Sequence, residues 1–93
     1  MRTIERTTAF KKDYRRERKG RHKRKLEGLL LGVLDLLVDG QALLVSNRDH
    51  RLAGEWEDHR ECHLAPDLLL VYCLPDASTL RLVRLGSHSE LFG

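Results

Sequence analysis

Between residues 26 and 37 the apolar positions fall at Leu26, Leu29, Leu30, Val33, Leu34 and Leu37, spaced i, i+3, i+4, i+7, i+8, i+11. That spacing winds into one stripe of an α-helix and predicts a helix ending near Asp39-Gly40. Upstream, Phe10 and Tyr14 share a face at i, i+4 with charges on the other sides, so a first helix is expected, capped by Thr7 or Thr8. Gly20 is placed to end it in a left-handed turn, while Gly28 and Gly32 mark a stripe where another element can approach closely. Ahead of the helices, Arg2 to Arg6 holds Thr3 and Ile4 and reads as an edge strand.

Residues 41 to 55 show no sustained period and are expected to form a loop. From Trp56 onward the pattern changes to short runs separated by turns. His59, Glu61 and His63 alternate with Arg60, Cys62 and Leu64, and Pro66-Asp67 then marks a tight turn. Leu68 to Leu74 is almost wholly apolar, as in a central strand covered on both faces. Pro75 to Ser78 forms the next turn, Thr79 to Leu85 a third strand, and Gly86 releases the chain into a tail carrying His88 and Phe92. The order β-α-α-β-β-β predicts an α+β fold, one domain over residues 1–93, with two helices on one face of a small antiparallel sheet.

A chain of 93 residues has room for a modest core and none for a separate cofactor-binding domain. No apolar run approaches the roughly 20 residues that span a bilayer, and residues 1–10 lack the apolar stretch of a signal peptide, so the expectation is a cytoplasmic protein with no membrane contact. Cys62 and Cys73 are too few for a disulfide framework and are expected as buried, reduced thiols. The net charge of +3 conceals an asymmetry: residues 1–25 carry +9 and the remainder −6. The cationic end, including Lys11, Lys12, Arg15, Arg16, Lys19 and Lys23, suits a phosphate backbone, and an acidic protein would satisfy the same field.

The last half of the chain places His50, His63, Asp67 and His88 at strand ends and turns. Imidazoles exchange protons near neutral pH, and several of them beside a basic surface suit RNA cleavage without a metal or other cofactor. One group must take the 2′-hydroxyl proton, another must protonate the leaving 5′-oxygen, and cations such as Arg60, Arg81 or Arg84 must offset charge on phosphorus. Zinc ligation by His59, Cys62, His63 and Cys73 is disfavoured, because adjacent residues 62 and 63 of a strand point to opposite faces and no Cys-x-x-Cys occurs.

The segments Arg48-Asp49-His50-Arg51-Leu52-Ala53-Gly54-Glu55-Trp56, Arg60-Glu61-Cys62-His63-Leu64-Ala65-Pro66-Asp67 and Arg84-Leu85-Gly86-Ser87-His88-Ser89-Glu90-Leu91-Phe92-Gly93 resemble the YafQ type of toxin in the RelE/ParE superfamily. The likeness extends over nearly the whole chain, including the basic helical pair. It implies a RelE-like fold and the toxin of a type II toxin-antitoxin pair. Such a toxin is an mRNA interferase, an endoribonuclease that cuts translated mRNA in the ribosomal A site and is held inactive by a cognate antitoxin.

By that resemblance His50, His63, Asp67 and His88 fall on catalytic positions, with His88 the general acid. His50 and His63 activate the 2′-hydroxyl or steady the phosphate, and Asp67 acts as base or orients an imidazole. Arg84 matches a phosphate-gripping position, Glu61 an acidic position near the site, Phe92 a base-holding aromatic, and Arg60 lies beside them as a further substrate contact. Leu68 stands where the pattern can carry a tryptophan, and Arg51 where it can carry a proline. The contrasting functional class is a non-catalytic module that binds RNA or an antitoxin; retention of all four catalytic positions favours the nuclease.

Overall fold

The leucine stripe folds as the helix it predicts. In the computed structural model, which describes residues 1–93, it forms α2 (Leu26–Val38), preceded by β1 (Thr3–Arg6) and α1 (Thr8–Glu17). After α2 come β2 (His50–Arg51), β3 (Arg60–Ala65), β4 (Leu68–Asp76), β5 (Thr79–Gly86) and α3 (His88–Phe92). Thr7 caps α1, its hydroxyl accepting the Phe10 N–H at 3.0 Å. Gly40 follows α2 with φ +70, a conformation that suits glycine at a helix end.

The five strands form one sheet in the order β1-β5-β4-β3-β2. β3, β4 and β5 run antiparallel, as expected, and β2 joins them antiparallel to β3, but the edge strand β1 pairs in parallel with β5, from Thr3 opposite Thr79 to Arg6 opposite Leu82, so the sheet is mixed. A parallel pair needs a long connection, here the whole stretch from α1 through β4. Periodicity identifies a strand and says nothing about its partner's direction.

Both helices cover one face of the sheet. Phe10, Leu26, Leu30, Val33, Leu34 and Leu37 pack there on Cys62, Leu64, Leu68, Leu70, Tyr72, Leu80, Leu82 and Leu85. On the other face Leu69, Val71 and Leu91 form a smaller cluster with Leu52, Trp56, Val83 and Phe92. Leu68 to Cys73 of β4 are therefore buried on both sides, as the unbroken apolar run requires. Cys62 and Cys73 are free and buried, and strand alternation puts them on opposite faces, out of reach of a disulfide. Burial pushes the Cys62 thiol up to about 12, which makes it an inert core group.

Beyond Arg6, α1 takes over from β1 along the edge of β5. The Thr7 N–H donates to the Leu82 carbonyl (3.0 Å) and the Thr7 hydroxyl to Val83 O (2.8 Å). Asp13 accepts the Leu85 N–H at 3.0 Å, and Arg16 Nη2 donates to Leu85 O at 2.8 Å. Side chains of a helix thus satisfy backbone groups that a longer β1 would otherwise pair.

Several expectations are corrected. α1 stops at Glu17 and Arg18 caps it in right-handed geometry, so Gly20 is not the left-handed terminator. No heavy atom lies within 4 Å of a Cβ built on Gly28 or Gly32, so neither serves a close approach. The 41–55 loop holds two short 3₁₀ turns and β2. The C-terminal tail is a helix, closed by a Ser87–Glu90 capping box in which Glu90 N–H donates to Ser87 Oγ and Ser87 N–H to Glu90 Oε1.

Candidate active site

Strand alternation sends Glu61 and His63 of β3 away from the helices, onto the face where Leu69 and Val71 lie. Pairing then lines residues up across the sheet. His50 is opposite Glu61, Glu61 opposite Val71, and Val71 opposite Arg84; in the adjacent row His63 is opposite Leu69 and Leu69 opposite Gly86. Directly opposed side chains start about 5 Å apart, so His50, Glu61 and His63 form one cluster at the open end of the sheet. A cleft of about 470 Å³ lies beside it, lined by Glu61, His63, Pro66, Asp67, Leu69, Ser87, His88 and Ser89. Three of the four sequence-predicted catalytic residues thus share this cleft, and His50 stands on β2 across from its Glu61 wall.

Backbone carbonyls fix the orientation of two imidazoles. His50 Nδ1 lies 2.7 Å from Arg48 O and His63 Nδ1 3.3 Å from Pro66 O. A carbonyl can only accept, so each Nδ1 carries the proton and each Nε2 is left for proton exchange with a ligand. His63 Nε2 is 3.8 Å from Glu61 Oε1, whose side chain is almost fully buried. The carbonyl that holds His50 belongs to Arg48, which adopts φ 49; a non-glycine residue there signals a conformation imposed by its surroundings.

Asp67, at the turn between β3 and β4, is engaged by Arg21, a member of the basic run, and by His22, which the sequence pattern did not single out. Its Oδ2 takes Arg21 Nη1 at 2.8 Å and its Oδ1 takes His22 Nε2 at 2.8 Å, both from the connector between α1 and α2. Nothing in the spacing of a basic run tells which of its members reaches across to the β-turn.

His88 is the first residue of α3, exposed at the cleft rim, and its ring sits 5.2 Å from that of Phe92 at i+4. Phe92 meets Trp56 edge-on at 5.9 Å, and Trp56 meets His59 edge-on at 5.2 Å. This aromatic chain braces α3 against the loop after β2. Beneath α3, a Cβ on Gly86 would fall 2.6 Å from Arg16 Nη2, 3.0 Å from Glu90 Oε1 and 3.2 Å from Leu91 Cδ2, so the absence of a side chain is what lets the helix sit down.

A family model described as "Bacterial toxin of type II toxin-antitoxin system, YafQ" matches residues 2–93. The chain belongs to the YafQ toxin family. It is 36% identical over 95 residues to the mRNA interferase toxin YafQ of Escherichia coli K12, a match covering 100% of this chain and 98% of that protein. The crystal structure of YafQ from E. coli BL21(DE3) superposes with a TM-score of 0.87 at 32% identity, covering 100% of both chains. A YafQ structure from the E. coli DinJ-YafQ toxin-antitoxin complex superposes at 0.81 and 30% identity, covering 99% of this chain and 98% of that one.

Other members of the expected YafQ site are held elsewhere. Arg60 lies on the helix side of β3, opposite Tyr72, where it makes two hydrogen bonds to Asp49 at 3.2 and 3.0 Å. That places it behind the sheet, away from the cleft. Arg84 shares the row of Glu61 and His50 but is bound through Nε and Nη2 to Asp13, at 2.6 and 3.1 Å. Arg16 is likewise committed, to Asp13, Glu17 and Glu90, whereas Lys11, Lys12, Arg15, Lys19 and Lys23 are exposed. Burial opposes ionisation of Asp13, but hydrogen bonds from Arg84 and the Leu85 N–H, with the charges of Arg84 and Arg16, hold its carboxyl below the usual value. Leu68 is completely buried in the helix-side core and offers no surface to a base.

Proposed function

We propose that this chain is the toxin of a type II pair and an endoribonuclease that cleaves translated mRNA on the ribosome, in the cytoplasm, until a cognate antitoxin binds it. The observation that carries the reading is the convergence of His63, Asp67 and His88, with Glu61, on one open cleft of a YafQ-family fold. The likeness to a relative named mRNA interferase toxin and to a toxin seen in complex with DinJ supports both the activity and the protein partner.

In the mechanism, His50 or His63 withdraws the 2′-hydroxyl proton through Nε2, and the 2′-oxygen forms a bond to phosphorus. The bond from phosphorus to the 5′-oxygen breaks, and His88 gives that oxygen its proton. The products are a 2′,3′-cyclic phosphate and a 5′-hydroxyl end. Asp67 holds charge and orientation at the cleft edge; Phe92 beside His88 offers a face to a neighbouring base. Arg84 is charge-paired with Asp13 and adds no net positive field there; the free cations Lys11, Lys12, Arg15, Lys19 and Lys23 bind ribosomal RNA phosphates.

The test uses purified ribosomes programmed with a defined mRNA. The reading expects cleavage that requires the ribosome and stops when the antitoxin is added. Intact mRNA with well-folded protein bound to the ribosome would leave a binding module as the better account.

A further inference from the structure

We propose that His22 is a positioning residue of the cleft, setting the Asp67 carboxylate and fastening the basic α1–α2 connector to the β3–β4 turn. Three observations carry it. First, the His22 backbone is tied to the start of α2: its carbonyl accepts the Lys25 N–H at 3.0 Å and the Leu26 N–H at 2.9 Å, one turn before the buried Leu26. The ring therefore projects from a fixed base. Second, the His22 side chain is largely buried at 18% exposure, and its Nε2 is 2.8 Å from Asp67 Oδ1. An ionised carboxylate only accepts, so Nε2–H is the donor and the bond fixes the carboxylate plane.

Third, the second partner of Asp67 is of a different kind. Arg21 is 80% exposed at the rim, so its cation can turn to an RNA phosphate while His22 keeps Asp67 in place. Each carboxylate oxygen has two acceptor sites and only one is filled, which leaves Asp67 able to accept a proton or hydrogen bond from the cleft side. The connector that brings cations to the RNA is thus the same piece of chain that aligns a group in the cleft.

This role rests on the nuclease reading, and its test separates the two. Single-turnover cleavage of ribosome-bound mRNA is measured against toxin concentration for wild type, His22→Ala, His22→Gln, Asp67→Ala and the His22→Ala/Asp67→Ala pair. Misalignment of a cleft group predicts that His22→Ala lowers the maximal rate by about tenfold to a hundredfold, a loss that persists at saturating toxin. His22→Gln, whose amide still donates to Asp67, recovers most of that loss. The double variant matches Asp67→Ala alone, because His22 acts only through Asp67. His22→Ala at the wild-type rate, or a further loss when it is added to Asp67→Ala, overturns the role. Absence of cleavage by wild type brings down the nuclease reading, and this role with it.

Discussion

The Tyr72 hydroxyl donates to Asp49 Oδ1 at 2.6 Å, joining the middle of the central strand to the residue next to His50. Arg60 holds the same carboxylate through two further hydrogen bonds. The His50 loop, which has little regular structure of its own, is thereby pinned to β3 and β4 from behind the sheet. Tyr72→Phe removes one of these pins and leaves Asp49 with Arg60. Its expected cost is about 1 kcal/mol in urea unfolding, with a larger fractional loss of cleavage than of stability because His50 is the residue released. Asp49→Ala strands Arg60 and is expected to cost about 2 kcal/mol.

Gly86 and Gly28 form a contrasting pair. A methyl at Gly86 meets the Arg16 guanidinium at 2.6 Å, and Arg16 cannot yield easily because Leu85 O, Glu17 and Glu90 all hold it. Gly86→Ala should therefore cost about 1–3 kcal/mol and disorder α3, taking His88 with it. A methyl at Gly28 meets nothing within 4 Å, so Gly28→Ala should stabilise the protein by roughly 0.5–1 kcal/mol through helix propensity. Thermal unfolding of the two variants is the check.

Much of this architecture is written in the chain. The period of the leucines fixes α2, the unbroken run in β4 announces burial on both faces, and the alternation about Cys62 separates Cys62 from His63. Ser87-x-x-Glu90 is a legible helix start, and the short tail following it conceals a helix that places His88. What local pattern does not hold is pairing at a distance. The parallel register of β1, the capture of Arg84 by Asp13, and the reach of His22 to Asp67 all join residues at least 45 positions apart. Arginines that look equivalent in sequence are divided by the fold into internal clamps and free cations.

Acid should expose the Asp13 clamp. A carboxyl whose folded value lies below its unfolded one contributes stability above the unfolded value and loses it as pH falls through the folded one. Asp13 is such a group; Glu90 is another, held low chiefly by the Ser87 N–H and also by Arg16. Wild type should therefore lose stability progressively below the ordinary carboxylate range. Asp13→Asn should show a flatter acid limb and a stability about 2 kcal/mol lower at neutral pH, a loss moderated by the partial exposure of Arg84 and Arg16. Urea midpoints measured across the acid range decide it.

Charge reversal of Lys11, Lys12 and Arg15 should weaken ribosome binding and flatten its salt dependence, the slope falling by about 0.7–0.9 for each phosphate that is no longer neutralised. Arg16 is left out of this set, since reversing it would break the clamp instead. Binding titrations over a range of salt concentrations check the slope; an unaltered slope assigns that surface to the antitoxin.

The role of His88 in mRNA cleavage is tested by mapping new mRNA 5′ ends in a translating extract supplied with wild type or with His88→Ala. Cuts are expected in register with codons and only during translation, with His88→Ala folded but cutting slower by about a hundredfold or more. Equal cutting by His88→Ala, or no cuts from folded wild type, would contradict that role.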